Sequence, residues 1–308
     1  MSFTAKDVQS LREKTGVGMM DCKKALTEAN GDMDKAVEIL REKGLAAAEK
    51  KAGRIASEGL IACYYDGTAA AMVEVNSETD FVAKNADFQA FVQSVAETAA
   101  KNNPTDLAAL METTLAGSSD TVTEALRDKI LTIGENLSVR RFYRTEGAIA
   151  TYIHGGGRIG VITEFEVDDA IANTEAFAEL GKDISMQIAA MNPQYLSRDT
   201  VDPAVIESEK SILVAQIKND EKNKNKPDNI IEKMVIGRLG KFYENNCLLD
   251  QPFVKDSSLT VGKYVQEKAK ELGGKIAVTG FVRFEKGEGL QKREDNLAEE
   301  VAKMTAGQ

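Results

Sequence analysis

The chain has 308 residues, 43% of them hydrophobic and 29% charged, with 49 acidic against 39 basic side chains and a net charge of −10. This composition belongs to a soluble globular protein long enough for two or more folding units. The acidic balance weighs against nucleic acid as the main partner, because that affinity rests on clustered Lys and Arg.

The start, MSFTAKDVQS, lacks a basic region followed by an apolar stretch, and no run approaches the roughly 20 apolar residues of a membrane span, so a cytoplasmic protein without membrane contact is expected. Residues 1–45 read as three short helices. Thr4 caps the first, which carries Val8 and Leu11, and TGVG (15–18) breaks it. Met19, Cys22, Ala25 and Leu26 form the next stripe. ANGD (29–32) supplies a Gly stop and an Asp cap before Val37 and Leu40, with Gly44 expected to close the third helix. The Ala-rich, basic stretch 46–56 reads as a helical or flexible linker.

From residue 58 the texture changes to strands and a repeat appears. EGLIACYYDG (58–67) and EGAIATYIHG (146–155) match at a shift of 88 residues, and each is followed by a second apolar run. Two helical segments also correspond, 85–104 and 173–193. Phe88, Phe91, Val95 and Ala99 align with Phe177, Leu180, Ile184 and Ile188, at the spacing of one helical face. A hairpin followed by a packed helix has been used twice, which predicts an α+β fold of antiparallel strands with helices against them. The expected core halves are 57–145 and 146–203 joined with 244–289. The second half is interrupted by a helical hairpin at 204–243, turning through NDEKNKNKPDN (219–229), and KIAVTGFVRFE (275–285) returns to strand texture. Residues 290–308 read as a polar helical module with Leu297, Val301 and Met304 as its apolar line.

Catalysis finds little support. His154 is the single histidine, in HGGGRIGV (154–161); an esterase oxyanion hole of that kind needs a GxSxG nucleophile elbow and a second histidine, and neither occurs. A glycine-rich hairpin turn with His154 exposed at its tip is the simpler reading. No phosphate-loop, EF-hand or HExxH pattern is present, and adjacent acids such as Asp168 and Asp169 read as surface charge. Cys22, Cys63 and Cys247 lack ligand spacing and read as reduced, buried thiols. No cofactor, metal or covalent chemistry is expected.

SETDFVAKNADF (77–88) carries two readings. Locally, Ser77 or Thr79 starts a turn, Asp80 sits near a helix N-terminus and Phe81 tucks under the sheet as a staple. Alternatively, Phe81 enters an apolar slot on a partner while Asp80 perturbs a polar site there. The second copy has FEVDDAIAN (165–173) at the same junction, so the turn does not require an Asp-Phe pair to fold.

Several segments match one family in order: LREKTGVGMMDCKKALTEANGDMDKAVEILREKG (11–44), VNSETDFVAKNADF (75–88), IGENLSVRRF (133–142), HGGGRIGV, IIEKMVIGRLGKFYE (230–244), QPFVKD (251–256) and VTGFVRFEKGEGL (278–290). The chain closely resembles the bacterial elongation factor Ts family, nucleotide exchange factors of the GTPase elongation factor Tu. The resemblance implies that residues 1–45 are similar to ubiquitin-associated domains. It further implies that Asp80 and Phe81, with Val82 beside them, press into the partner near its Mg²⁺ and switch region. By the same resemblance Ile133, Gly134 and His154 are neighbouring contacts, Met19, Met20 and Lys23 form the bundle's contact surface, and Phe253 and Val254 a further one. The module from 290 would also touch the partner. A homodimer or a 2:2 complex stays open, as does a ubiquitin-associated-like adaptor without exchange activity.

Overall fold

The computed structural model describes residues 3–223 and 226–292. The expected tail helix with Leu297, Val301 and Met304 lies outside the described residues. Helix α1 (Ala5–Thr15) begins with a reciprocal cap in which the Thr4 hydroxyl accepts from Asp7 N and the Asp7 carboxylate accepts from Thr4 N at 2.6 Å. It ends at Gly16, whose φ of 67° is the left-handed stop. Helices α2 (Met19–Glu28) and α3 (Met33–Lys51) complete the bundle around Val8, Leu11, Cys22, Ala25, Leu26, Ala36 and Leu40.

Gly44 does not close α3. The helix runs through it to Lys51, so the first six residues of the expected linker are helical. A mid-helix glycine costs only about 1 kcal/mol, and the alanines that follow favour continuation. Helix α3 lies along α7 (Val122–Ile133): Arg41, before the extension, pairs with Asp120 just ahead of α7 at 2.9 Å, and Lys51 Nζ at the far end donates to the Ile130 carbonyl. Leu131 of α7 packs into the bundle core.

The duplicated core consists of two three-stranded antiparallel sheets. In the first, β1 (Glu58–Tyr65), β2 (Ala69–Ser77) and β3 (Ser138–Glu146) lie in that order. The second has β4 (Ala148–His154), β5 (Ile159–Val167) and β8 (Ile276–Glu285). Both middle strands shift register at one place, Glu74/Val75 and Glu164/Phe165. A short helix then a long one follow each: α4 (Asp80–Ala83) and α5 (Ala86–Asn102), then α8 (Asp169–Ala172) and α9 (Glu175–Met191). SVRRFYRTE (138–146) carried no strand signal in the sequence, yet it supplies the third strand of the first sheet.

Strand alternation sorts the side chains into layers. Leu60, Ala62, Val73 and Val75 face α5 through Phe88, Phe91, Val92 and Val95, while Phe165 and Ile159 face α9 through Phe177, Leu180 and Ile184. The opposite faces meet in a small core of Ile61, Met72, Ile149, Ile162 and Phe284. HGGGRIG is shaped by that meeting as well as by its turn. Gly155, Gly156 and Gly157 all have positive φ, the Gly157 carbonyl accepts from Ile61 N at 2.8 Å, and a Cβ on Gly160 would lie 2.5 Å from Ile61 Cγ2.

At the seam Glu74 is fully buried, accepting from Arg140, from Arg141 Nε at 2.6 Å, from Asn76 and from Gly287 N. Its counterpart Glu164 accepts from the Tyr143 hydroxyl at 2.6 Å. Each carboxylate thus binds a group of the other half.

The remaining elements decorate the second half. Helices α10 (Pro203–Asn219) and α11 (Asp228–Asn246) form the expected hairpin, closed by Leu213, Ile217, Ile231, Val235 and Leu239. A two-strand ribbon, β6 (Pro252–Phe253) and β7 (Asp256–Thr260), leads into α12 (Val261–Leu272). The α+β class expected from the repeat is the observed one. No helix among the described residues is long and apolar enough to cross a membrane.

Candidate functional site

The polypeptide leaves β2 at Ser77, turns, and enters α4 at Asp80 with Thr79 as its extended capping residue. The Ser77 hydroxyl donates to the Thr79 carbonyl at 2.9 Å, which shapes the turn. Val82 points inward and is 7% exposed, whereas Phe81 is 79% exposed. The staple reading is therefore overturned: Phe81 does not tuck under the sheet, because Val82 fills the inward position of this one-turn helix. In the second half Ile171 takes the place of Val82, buried in the same manner, and the residue before it is the exposed Ala170. The Asn85 N–H to Val82 carbonyl bond recurs as Thr174 N–H to Ile171 carbonyl. Turn, helix and buried anchor repeat, and only the exposed aromatic is new.

Lys84 restrains both members of the pair. Its Nζ lies 2.7 Å from Asp80 Oδ2 and 5.7 Å from the centroid of the Phe81 ring. The hydrogen bond from Lys84 is the main reason the Asp80 carboxyl is held below its ordinary pKa. Glu135, just past the end of α7, anchors the turn from beneath. Its carboxylate accepts from Glu78 N at 3.1 Å, Thr79 N at 3.0 Å and the Thr79 hydroxyl at 2.6 Å, while the Glu78 carboxylate accepts from Asn136 N at 2.6 Å.

Phe81 borders two open grooves. One, of about 440 Å³, is shared with Val82, Ile133 and Lys129 of the core and with Thr15 and Gly16 of the bundle. The other, about 460 Å³, is shared with Glu58, Glu78, Asp80 and Lys292. Gly134, with φ of 86°, caps α7 and is exposed next to half-buried Ile133. These residues therefore come together, and Met19 and Met20 stand exposed at the start of α2 just beyond Gly16.

Residues 78–288 match the elongation factor TS family. The chain is 51% identical to elongation factor Ts of Clostridium kluyveri over 99% of both chains. It is 52% identical to that of Clostridium perfringens and 53% identical to that of Clostridioides difficile, each over 98% of this chain and 99% of the relative. The chain belongs to the elongation factor Ts family.

The remaining residues that the elongation factor Ts resemblance singled out lie in three places. Lys23 is exposed on α2. His154 is exposed at the end of β4, with Nδ1 3.1 Å from the Tyr152 hydroxyl. Phe253 departs from the expectation of an open contact: its ring is buried and stacks on Tyr264 with centroids 4.2 Å apart, so only Val254 of that segment is exposed. The ribbon is held by buried groups, with Asp183 accepting from Lys255 Nζ and from the Tyr264 hydroxyl, and Gln187 accepting from Val254 N. Glu78, Lys84 and Glu135 were not singled out from the sequence. Lys84 could have been found from its i,i+4 spacing to Asp80, but a bond between residues 57 apart leaves no local signal.

Proposed function

We propose that this chain is the guanine nucleotide exchange factor of elongation factor Tu in the cytoplasm, and that Asp80 and Phe81 are its working pair. The observation that carries this reading is the 79% exposure of Phe81 on a turn whose repeat does without an aromatic. Inserting the ring into an apolar slot would gain about 1.5–3 kcal/mol, while the acid disturbs a Mg²⁺ site beside it. A GTPase holds its nucleotide through backbone amides, a lysine and the metal, so displacing loop and metal together weakens several charge-assisted contacts at once. Linkage requires the converse, that incoming nucleotide weakens the hold on the factor. The cycle is binding of the diphosphate form, nucleotide release, and ejection by fresh nucleotide, with no covalent bond made or broken. Val82 anchors the pair; Ile133, Gly134, His154 and Val254 extend the contact on the core, and Met19, Met20 and Lys23 on the bundle.

The test is release of fluorescent GDP from purified elongation factor Tu, with the chain, without it, and with an Asp80→Ala, Phe81→Ala double variant. Stimulation by the wild type and its loss in the variant are expected. Unchanged release with the wild type removes the exchange reading; a fully active variant removes the wedge. Excess Mg²⁺ should slow the stimulated release.

A further inference from the structure

We infer that Glu78 and Glu135 form a crossed clamp that positions the Asp80–Phe81 turn, making both of them positioning residues for nucleotide release. This rests on the exchange reading above. The two halves of the core provide an internal control. In both, the junction after the middle strand is tied to the segment that enters the third strand. In the second half the tie comes from the strand side alone: Asp168 Oδ2 accepts from Lys275 N at 2.7 Å, Asp168 N donates to the Lys275 carbonyl at 3.1 Å, and the Glu166 carboxylate pairs with Lys275 Nζ at 2.5 Å.

In the first half carboxylates reach across in both directions. Glu135 takes three donors from residues 78 and 79, and Glu78 takes the amide of Asn136 in return. Asn136 Nδ2 also donates to the Arg54 carbonyl at 2.8 Å, and Arg54 Nη1 lies 3.3 Å from Glu78 Oε1, so the approach from the bundle joins the same network. A β–α junction of this fold holds with carboxylates on the strand side only, Glu166 and Asp168; a carboxylate reaching back to the turn from the third-strand side, Glu135, occurs where the turn carries an exposed aromatic. It also ties the turn that carries Phe81 to the end of α7, where Ile133 lines the same groove. Hydrogen bonds to a charged acceptor resist bending that a single neutral bond would allow, and a ring that must enter a slot gains from a fixed base, since a displacement of about 1 Å can cost about 100-fold in rate.

The experiment compares Glu135→Ala and Glu135→Gln with Asp168→Ala as the control in the other half, in two measurements. The first, on the free chain, is amide hydrogen exchange at Thr79. Glu135→Ala is expected to speed it about tenfold or more, with Glu135→Gln, which keeps one acceptor oxygen, in between. The second is GDP release from elongation factor Tu, titrated to separate the saturating rate from the half-saturating concentration. Glu135→Ala should lower the saturating rate about tenfold while the half-saturating concentration moves less than about threefold, and Asp168→Ala should leave the saturating rate within about twofold. Unchanged Thr79 exchange in Glu135→Ala overturns the clamp whether or not the chain promotes release. So does a wild-type saturating rate in that variant while Phe81→Ala is inactive. If the wild type itself leaves release unchanged, the exchange reading falls, and the role in release with it.

Discussion

Lys84 touches both halves of the Asp-Phe pair, with its ammonium 2.7 Å from the Asp80 carboxylate and 5.7 Å from the centre of the Phe81 ring. In the free chain the acid's charge is therefore already paired. Replacing Lys84 by Met should raise the Asp80 pKa back towards the ordinary carboxylate value, because the bond from Lys84 is the main cause of its depression. The sign follows: a carboxyl depressed in the folded state contributes at neutral pH and loses that contribution as pH falls through its folded pKa. An NMR titration of Asp80 in both proteins checks it, and equal pKa values would refute the pairing.

Exposure separates function from stability along this segment. Phe81→Ala should change unfolding free energy by no more than about 0.5 kcal/mol, since the ring is mostly in water. Phe88→Ala, seven residues later and fully buried against the sheet, should cost about 3–5 kcal/mol. Urea unfolding measures both, and a large loss in Phe81→Ala would mean that the ring packs internally.

Gly160 is required by the approach of the sheets and not by its backbone angle. A methyl there would meet Ile61 Cγ2 at 2.5 Å and Met72 Sδ at 2.6 Å, so Gly160→Ala should destabilise by about 1–3 kcal/mol through overpacking. Gly156→Ala has open space around it but a φ of 64°, and should cost about 1–2 kcal/mol from the left-handed conformation alone. Combining Gly160→Ala with Ile61→Ala, which removes Cγ2, should cost less than the sum of the two single changes, which no change of backbone angle would do.

Glu74 makes folding sensitive to acid. Burial pushes its carboxyl up, but the donors Gly287 N–H, Asn76 and Arg141 together outweigh that and hold it below the ordinary value. Its share of stability is thus complete at neutral pH and disappears as pH falls through the depressed pKa. Glu74→Gln should destabilise at pH 7 by about 1–3 kcal/mol, since Arg141 loses its buried partner but keeps Glu288 and the Glu285 carbonyl, and should flatten the loss seen as pH falls below the ordinary carboxyl value of 4.5. Melting curves across that range provide the comparison.

Much of the fold was legible in the sequence, and the failures have physical causes. The repeat at a shift of 88 residues announced two hairpins with packed helices, because period-two and helical stripes survive in both copies. Strand β3 escaped detection because Arg140, Arg141 and Arg144 give it a polar texture. Their charges are absorbed by Glu74, by Glu146 and by the Ala100 carbonyl, partners that only the folded chain brings near. Gly44 suggested a stop, but a glycine ends a helix only if it turns left-handed, and the alanines after it decide otherwise. The mismatch of Phe81 with the second copy agrees with its exposure, while the local reading as a staple fails because Val82 holds the inward position. Phe253 was singled out only through the resemblance, and its ring is covered by Tyr264.

The unbroken α3 has a consequence for how the two proposed contact surfaces would cooperate. It runs from the bundle onto α7 without a hinge, and Thr15, Gly16 and Phe81 border one groove, so Met20 and Phe81 are presented at a fixed separation. A partner captured first by the bundle would meet the aromatic ring at an effective concentration set by geometry and not by tether length. Gly-Ser residues inserted after Lys51 would dilute that second encounter without altering either surface.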